Sequence, residues 1–158
     1  MNIIYEDEQC VAYLHAAPAS PGHVVVTPKE KYTVIEQMPE QLSGHLMLVA
    51  NRMAGVLFET LGSHGTNMLI QNGHGAGQTE AQVMVHIIPR KENDGINFFW
   101  KPFEDKEKSE IAMIKLSECS TNIVLSDKEQ SASPIEQTED VEKPKNTDWI
   151  HQALRRIP

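Results

Sequence analysis

Cysteine is scarce, with two residues, Cys10 and Cys119, among 158. Their separation fits no metal-ligand spacing, so the sequence predicts free thiols in a reducing compartment. Positive charge is also short. Against 22 Asp and Glu stand 14 Lys and Arg, for a net charge of −8. That balance argues against a general affinity for nucleic acid, which needs concentrated Lys and Arg. A local anion site built from backbone N–H groups stays open. Long hydrophobic runs are missing too. The longest, HVVVT and MVHII, are strand-sized and too short to span a bilayer as a helix. The opening MNIIYEDEQ has no basic leader before an apolar run. No signal peptide is expected, and a cytoplasmic setting is the default.

What remains is an ordinary composition, 40% apolar and 23% charged, sized for one domain plus a tail. Residues 1–103 read as an α+β unit. Asn2–Glu6 and Cys10–Leu14 are β-prone runs around a polar turn. Ala16–Gly22 is a loop by composition. His23–Thr27 is nearly continuous in valine, which predicts a strand buried on both faces and stopped by Pro28. A helix then runs from Pro39 to Gly62, with Leu42, Leu46, Val49, Met53 and Val56 as its apolar stripe. Thr66–Ile70 and Gln82–Ile88 complete a set of about five strands.

Beyond Phe103 the texture changes. Residues 104–125 predict an appended helix, with Ile111, Ile114 and Cys119 loosely on one side. Residues 126–147 form an acidic linker too poor in apolar groups to repay ordering. Residues 148–158, DWIHQALRRIP, recover helical apolar spacing. This segment is expected to dock on its own domain or, as the alternative, on a protein partner.

The chemistry concentrates in QNGHGAGQTEAQVMVHIIPRK, residues 71–91. Small residues from Gly73 to Gly77 let backbone N–H groups approach an anion, and Gln78 and Thr79 add side-chain donors. In the strand that follows, Gln82, Met84 and His86 fall on one face, about 7 Å apart. Taken alone, a glycine loop is more often a tight connection, and a single histidine is more often structural.

The run PGHVVVTPK, a long helix, AGQT and HIIPR, in that order and at those spacings, resemble the histidine triad (HIT) superfamily of nucleotide hydrolases and transferases. The resemblance covers residues 2–95. Gln71 with the AGQT run is most similar to the dinucleoside-polyphosphate hydrolase branch. The family implies an antiparallel sheet of about five strands, one long helix and, here, a short C-terminal helix. It also implies a homodimer formed through the helix and an adjacent strand.

In that family the last strand carries three alternating histidines, and the middle one attacks an α-phosphorus. Here those positions are Gln82, Met84 and His86. An earlier fourth histidine is expected at Lys31, and the ribose contact at His15. A thioether has no proton to lose and makes no credible phosphorylated intermediate, so the covalent mechanism is expected to be lost. The resemblance assigns ligand contacts to His15, Gln71, Gly77, Gln78, Thr79 and His86, with Lys31 adding positive charge. Against binding, the resemblance leads one to expect no counterpart of the family's leading segment and a Met84 side chain projecting toward the α-phosphate position. A rival arrangement gathers His74, His15 and His86 into a substitute nucleophile or a metal site. Separate loop histidines are more commonly bland, so no metal or cofactor is assigned. Three functions compete: a non-catalytic nucleotide-binding or regulatory domain, a hydrolase or transferase using an unconventional residue, and a pure interaction module with a vestigial pocket.

Overall fold

The structure is a computed structural model that describes residues 2–120 and 123. The expected linker 126–147 and the segment 148–158 lie outside the described residues. The chain divides into two compact units, Met1–Lys101 and Pro102–Pro158.

The first unit is α+β. Strands β1 (Ile3–Glu6), β2 (Cys10–Leu14), β3 (Val24–Pro28), β4 (Gly65–Ile70) and β5 (Val85–Arg90) form one sheet in the order β1-β2-β3-β5-β4. All neighbours are antiparallel. Helix α1 (Glu40–Leu61) connects β3 to β4 and covers one face. Alternation in the strands decides what it covers. Cys10 and Ala12 of β2, Val24 and Val26 of β3, and Val85 and Ile87 of β5 join Leu42, Leu46, Val49, Ala50, Met53, Ala54 and Leu57 in one core. The opposite face of the same strands carries Val25, Thr27 and His86. Val25 lies beside His86 across the β3–β5 pair. Val24, Val25 and Val26 are all fully buried, as the unbroken valine run predicts.

Two expectations need correction. The helical stripe does not continue to Val56, which is 48% exposed. A straight helix turns about 100° per residue, so the stripe moves on to Ala50, Ala54 and Leu57 and carries Val56 outward. The last strand begins at Val85 rather than Gln82. The register places Pro28 opposite Val83, and proline has no N–H to give the ladder. The Val83 carbonyl instead accepts from the Thr27 hydroxyl at 2.7 Å, and the Val83 N–H donates to the Tyr32 carbonyl at 2.8 Å.

Helix α1 ends on Gly62 in the left-handed region, φ 58°, as its position predicts. In the second unit, α2 spans Lys106–Ser120. It starts where Asp105 Oδ1 accepts the Lys108 N–H at 3.1 Å. Ile111, Ile114 and Cys119 are exposed on it. Among the described residues no helix is long and apolar enough to cross a membrane.

The loop before β3 depends on Gly22. Its φ is +88°, and an added Cβ would lie 2.3 Å from Leu61 Cδ1 and 3.4 Å from Pro89 Cγ. Gly22→Ala is expected to destabilise the fold by about 1–3 kcal/mol. Leu46→Ala, which empties the middle of the core, is expected to cost about 2–5 kcal/mol. Urea unfolding checks both. An unchanged midpoint in Gly22→Ala would remove the packing argument for this loop.

Candidate functional site

The side chains best placed for chemistry are three histidines on the sheet face away from α1. His15 follows β2, His23 precedes β3, and His86 lies within β5. The loop between the first two is closed by backbone bonds. His15 N–H donates to His23 O at 2.9 Å, and His23 N–H donates to Ser20 O at 3.0 Å. This closure stacks the His15 and His23 rings with centroids 4.6 Å apart and planes within 7°. His86 completes the group, with its centroid 5.3 Å from His23 and 5.6 Å from His15.

The hydrogen bonds fix the protons. Ala19 N–H donates to His23 Nδ1 at 3.1 Å, so that nitrogen carries a lone pair. In the neutral ring the proton then sits on Nε2, which donates to His86 Nδ1 at 3.1 Å. His86 accordingly keeps its own proton on Nε2. That N–H has no hydrogen-bond partner among the described residues and remains a donor for a ligand. Burial pushes the His23 pKa down to about 4, helped by the neighbouring charges of His15 and His86. Burial and then His15 also lower His86, while Glu80 opposes them. Both rings are therefore neutral near pH 7.

Gln82 and Met84 do not line an open cleft as the alternation suggests. The Gln82 side-chain N–H₂ points back to the end of β3, within reach of Thr27 Oγ1 at 3.0 Å, Pro28 O at 3.0 Å and Glu30 O at 3.1 Å. Met84 is half-buried, and its sulfur accepts from the Tyr13 hydroxyl at 3.7 Å. Both side chains are tied into the protein itself.

The glycine loop is organised by Gln78. Its Oε1 accepts the Gly73 N–H at 2.7 Å. Its Nε2 donates to Thr33 O, Glu80 O and Gln82 O at 2.7, 2.8 and 3.2 Å. Gln78 is thus a staple of the loop rather than a donor pointing at a ligand. Asn72 pins the other side, accepting the Ile35 N–H at 3.0 Å and donating to the Glu36 carboxylate at 2.7 and 2.8 Å. Gln71 Nε2 donates to Ala76 O at 3.3 Å. It packs so closely on Gly77, at φ +86°, that a Cβ there would meet it at 2.7 Å. Thr79 is exposed and its hydroxyl bonds to nothing among the described residues.

Lys31, placed by resemblance at the family's early-histidine position, takes no part in the histidine group. Lys31 is exposed, and it is His23 that bonds to His86. His74 sits exposed in the loop, so the histidines that gather are His15, His23 and His86 rather than His15, His74 and His86. The signal for His23 was available in its phase. Counting back in steps of two from Thr27 and Val25 puts it on the same face as His86.

The depressed histidines make stability depend on pH. A histidine held below its ordinary 6.5 resists protonation in the folded state, so the unfolded chain takes up the proton first. Stability is therefore full above pH 6.5 and falls as pH drops toward about 4. The expected loss is on the order of 2 kcal/mol. The Asp94 carboxyl, held down by its hydrogen bonds from Arg90, contributes a separate loss below its ordinary 3.8. Melting temperatures measured across the upper window should slope in the native protein and flatten in His23→Gln. Equal slopes in both proteins would place the buried charge cost elsewhere.

Comparison with known proteins matches the same part of the chain. Residues 1–93 match the HIT domain family. Adenylylsulfatase HINT3 of Arabidopsis thaliana is 34% identical over 91 residues, 58% of this chain and 46% of that protein. An uncharacterized HIT-like protein of Methanocaldococcus jannaschii is 38% identical over 94 residues, 60% of this chain and 72% of that protein. A bis(5'-adenosyl)-triphosphatase of Dictyostelium discoideum is 36% identical over 93 residues, 59% of this chain and 62% of that protein. This chain thus spans less than two thirds of the length of either named hydrolase. Among solved structures, a HIT family protein from Bacillus subtilis superposes with a TM-score of 0.70 at 28% identity, covering 79% of this chain and 89% of that one. From the sheet order, the histidine face and this match over most of the first unit, the chain belongs to the HIT domain family.

Proposed function

We propose that this HIT protein binds a nucleotide or another phosphate ligand without cleaving it, as a regulatory or sequestering domain. The observation that carries the reading is the surroundings of Met84. By resemblance it holds the place of the attacking histidine, and its thioether is engaged by Tyr13. A nucleophile at phosphorus needs a lone pair that is basic or anionic at neutral pH, and a thioether supplies neither. Gln82, at the place of the first histidine, spends its N–H₂ on backbone and the Thr27 hydroxyl and moves no proton near pH 7.

Binding groups remain. The free Nε2–H of His86, the half-buried ring of His15 and the Thr79 hydroxyl are offered to a phosphate, while the N–H groups of Ala76, Gly77 and Gln78 stay within the loop. Gln78 and Gln71 hold that loop in shape. The resemblance further supports a homodimer. The two free thiols, Cys10 buried and Cys119 exposed, are compatible with a reducing cytoplasm.

The second reading, hydrolysis through an unconventional residue, is favoured by the names of the adenylylsulfatase and triphosphatase relatives. His15 is its best candidate nucleophile, because His23 and His86 are buried and bonded to each other. A turnover assay with adenylylsulfate and with bis(5'-adenosyl) triphosphate separates the two. The expected rate is lower than that of an intact HIT hydrolase by at least about 10³-fold. Nucleotide affinity should fall about tenfold in His86→Ala, in line with loss of a hydrogen bond to a charged group. Turnover within tenfold of an intact enzyme that disappears in His15→Ala would establish the second reading instead.

A further inference from the structure

On the other side of the sheet, where the β1–β2 turn meets α1, Asp7, Cys10 and His45 converge. One ligand atom from each, a carboxylate oxygen, the thiol sulfur and a ring nitrogen, lies within 4.8 Å of the other two. We propose that these three side chains form a binding site for a thiophilic divalent cation of the zinc class, fixing the β1–β2 turn to α1. None of the three belongs to the histidine face.

The arrangement goes beyond a chance meeting of polar groups. Asp7 Oδ1 is oriented by two backbone donors, the Gln9 N–H at 2.8 Å and the Cys10 N–H at 2.7 Å. Oδ2 is the oxygen turned toward His45 and Tyr5, accepting His45 Nε2–H at 2.8 Å and the Tyr5 hydroxyl at 2.8 Å. A carboxylate anchored through one oxygen and presented through the other is preorganised as a ligand. Burial alone would raise its pKa, but the bonds from Cys10, His45, Gln9 and Tyr5 outweigh it and keep the group ionised. Thiolate, imidazole and carboxylate together suit zinc or cobalt rather than calcium or magnesium.

Charge and space also fit. The carboxylate and a Cys10 thiolate would balance a 2+ ion. A groove of about 180 Å³ lined by Tyr5, His45, Leu48, Arg52 and Val56 opens beside His45. The Tyr5 hydroxyl or a water is then available for a fourth position. Arg52 on that groove opposes a cation, so the site depends on both negative ligands. Tetrahedral coordination at 2.0–2.3 Å holds ligand atoms about 3.3–3.8 Å apart, so the widest pair would close by at most about 1.5 Å from 4.8 Å and the Asp7–His45 pair would open by about 0.5 Å from 2.8 Å. His45 would move its proton from Nε2 to Nδ1. Cys10 would lose its own to solvent. Burial holds that thiol up at about 11, so the metal must displace the proton and binding must tighten as pH rises.

Cobalt(II) gives the direct test, because a thiolate ligand produces a near-ultraviolet charge-transfer band and imidazoles do not. Full-length Cys119→Ser protein leaves Cys10 as the sole thiol. Titrated at pH 8, it should develop the band and saturate at one equivalent, and zinc should displace it. The band should be absent when Cys10→Ser is added. Its midpoint should rise at least tenfold when His45→Gln is added, a change on a part-exposed helix position whose folding circular dichroism can verify. No band in the Cys119→Ser protein overturns the proposal. So does a band whose midpoint moves less than tenfold in both His45→Gln and Asp7→Asn.

Discussion

The hydrogen bond from His23 Nε2 to His86 Nδ1 links the two central strands on the face that carries the candidate site. It forms because Ala19 caps the far nitrogen of His23, which forces the proton onto the near one. It lasts because both rings are buried and resist charging. From this one contact follow the tautomer of His86, the free donor it presents, and the stacking partner available to His15. The loop of Gly22 serves the same contact, since its tight packing on Leu61 and Pro89 brings the chain back from His15 to His23.

Around that bond, three side chains of residues 78–84 are engaged by the protein itself. Gln82 closes the gap that Pro28 leaves in the ladder. Gln78 holds three backbone groups of its own loop and the Thr33 carbonyl. Met84 meets a tyrosine hydroxyl. Each of these bonds is modest by itself, about 0.5–1.5 kcal/mol net. Together they hold the loop and strand ends beside the histidine face. The HIT family membership explains the fold, and the chemistry of Met84 explains why the proposal departs from the activities named for its relatives.

Much of the fold was legible in the sequence. The valine run of β3, the helix ended by Gly62 and the alternation of β5 follow from local pattern. What failed did so for reasons outside local pattern. The helical stripe ends short of Val56, where Leu57 turns inward instead. The start of β5 depends on Pro28, distant in sequence but opposite Val83 in the sheet. In sequence His23 is only the edge of an apolar strand, because its partners, His15 and His86, come from other elements. For Gln78, composition showed a donor but not its direction. Cys10 and His45, unrelated by spacing, meet because the core places β2 under α1.

The central claim is binding without cleavage, and phosphorus NMR tests both halves at once. With stoichiometric protein and bis(5'-adenosyl) triphosphate, the account predicts shifted or broadened phosphorus resonances and no new ones over hours. The appearance of AMP and ADP signals, or resonances that the protein leaves unmoved, would contradict it.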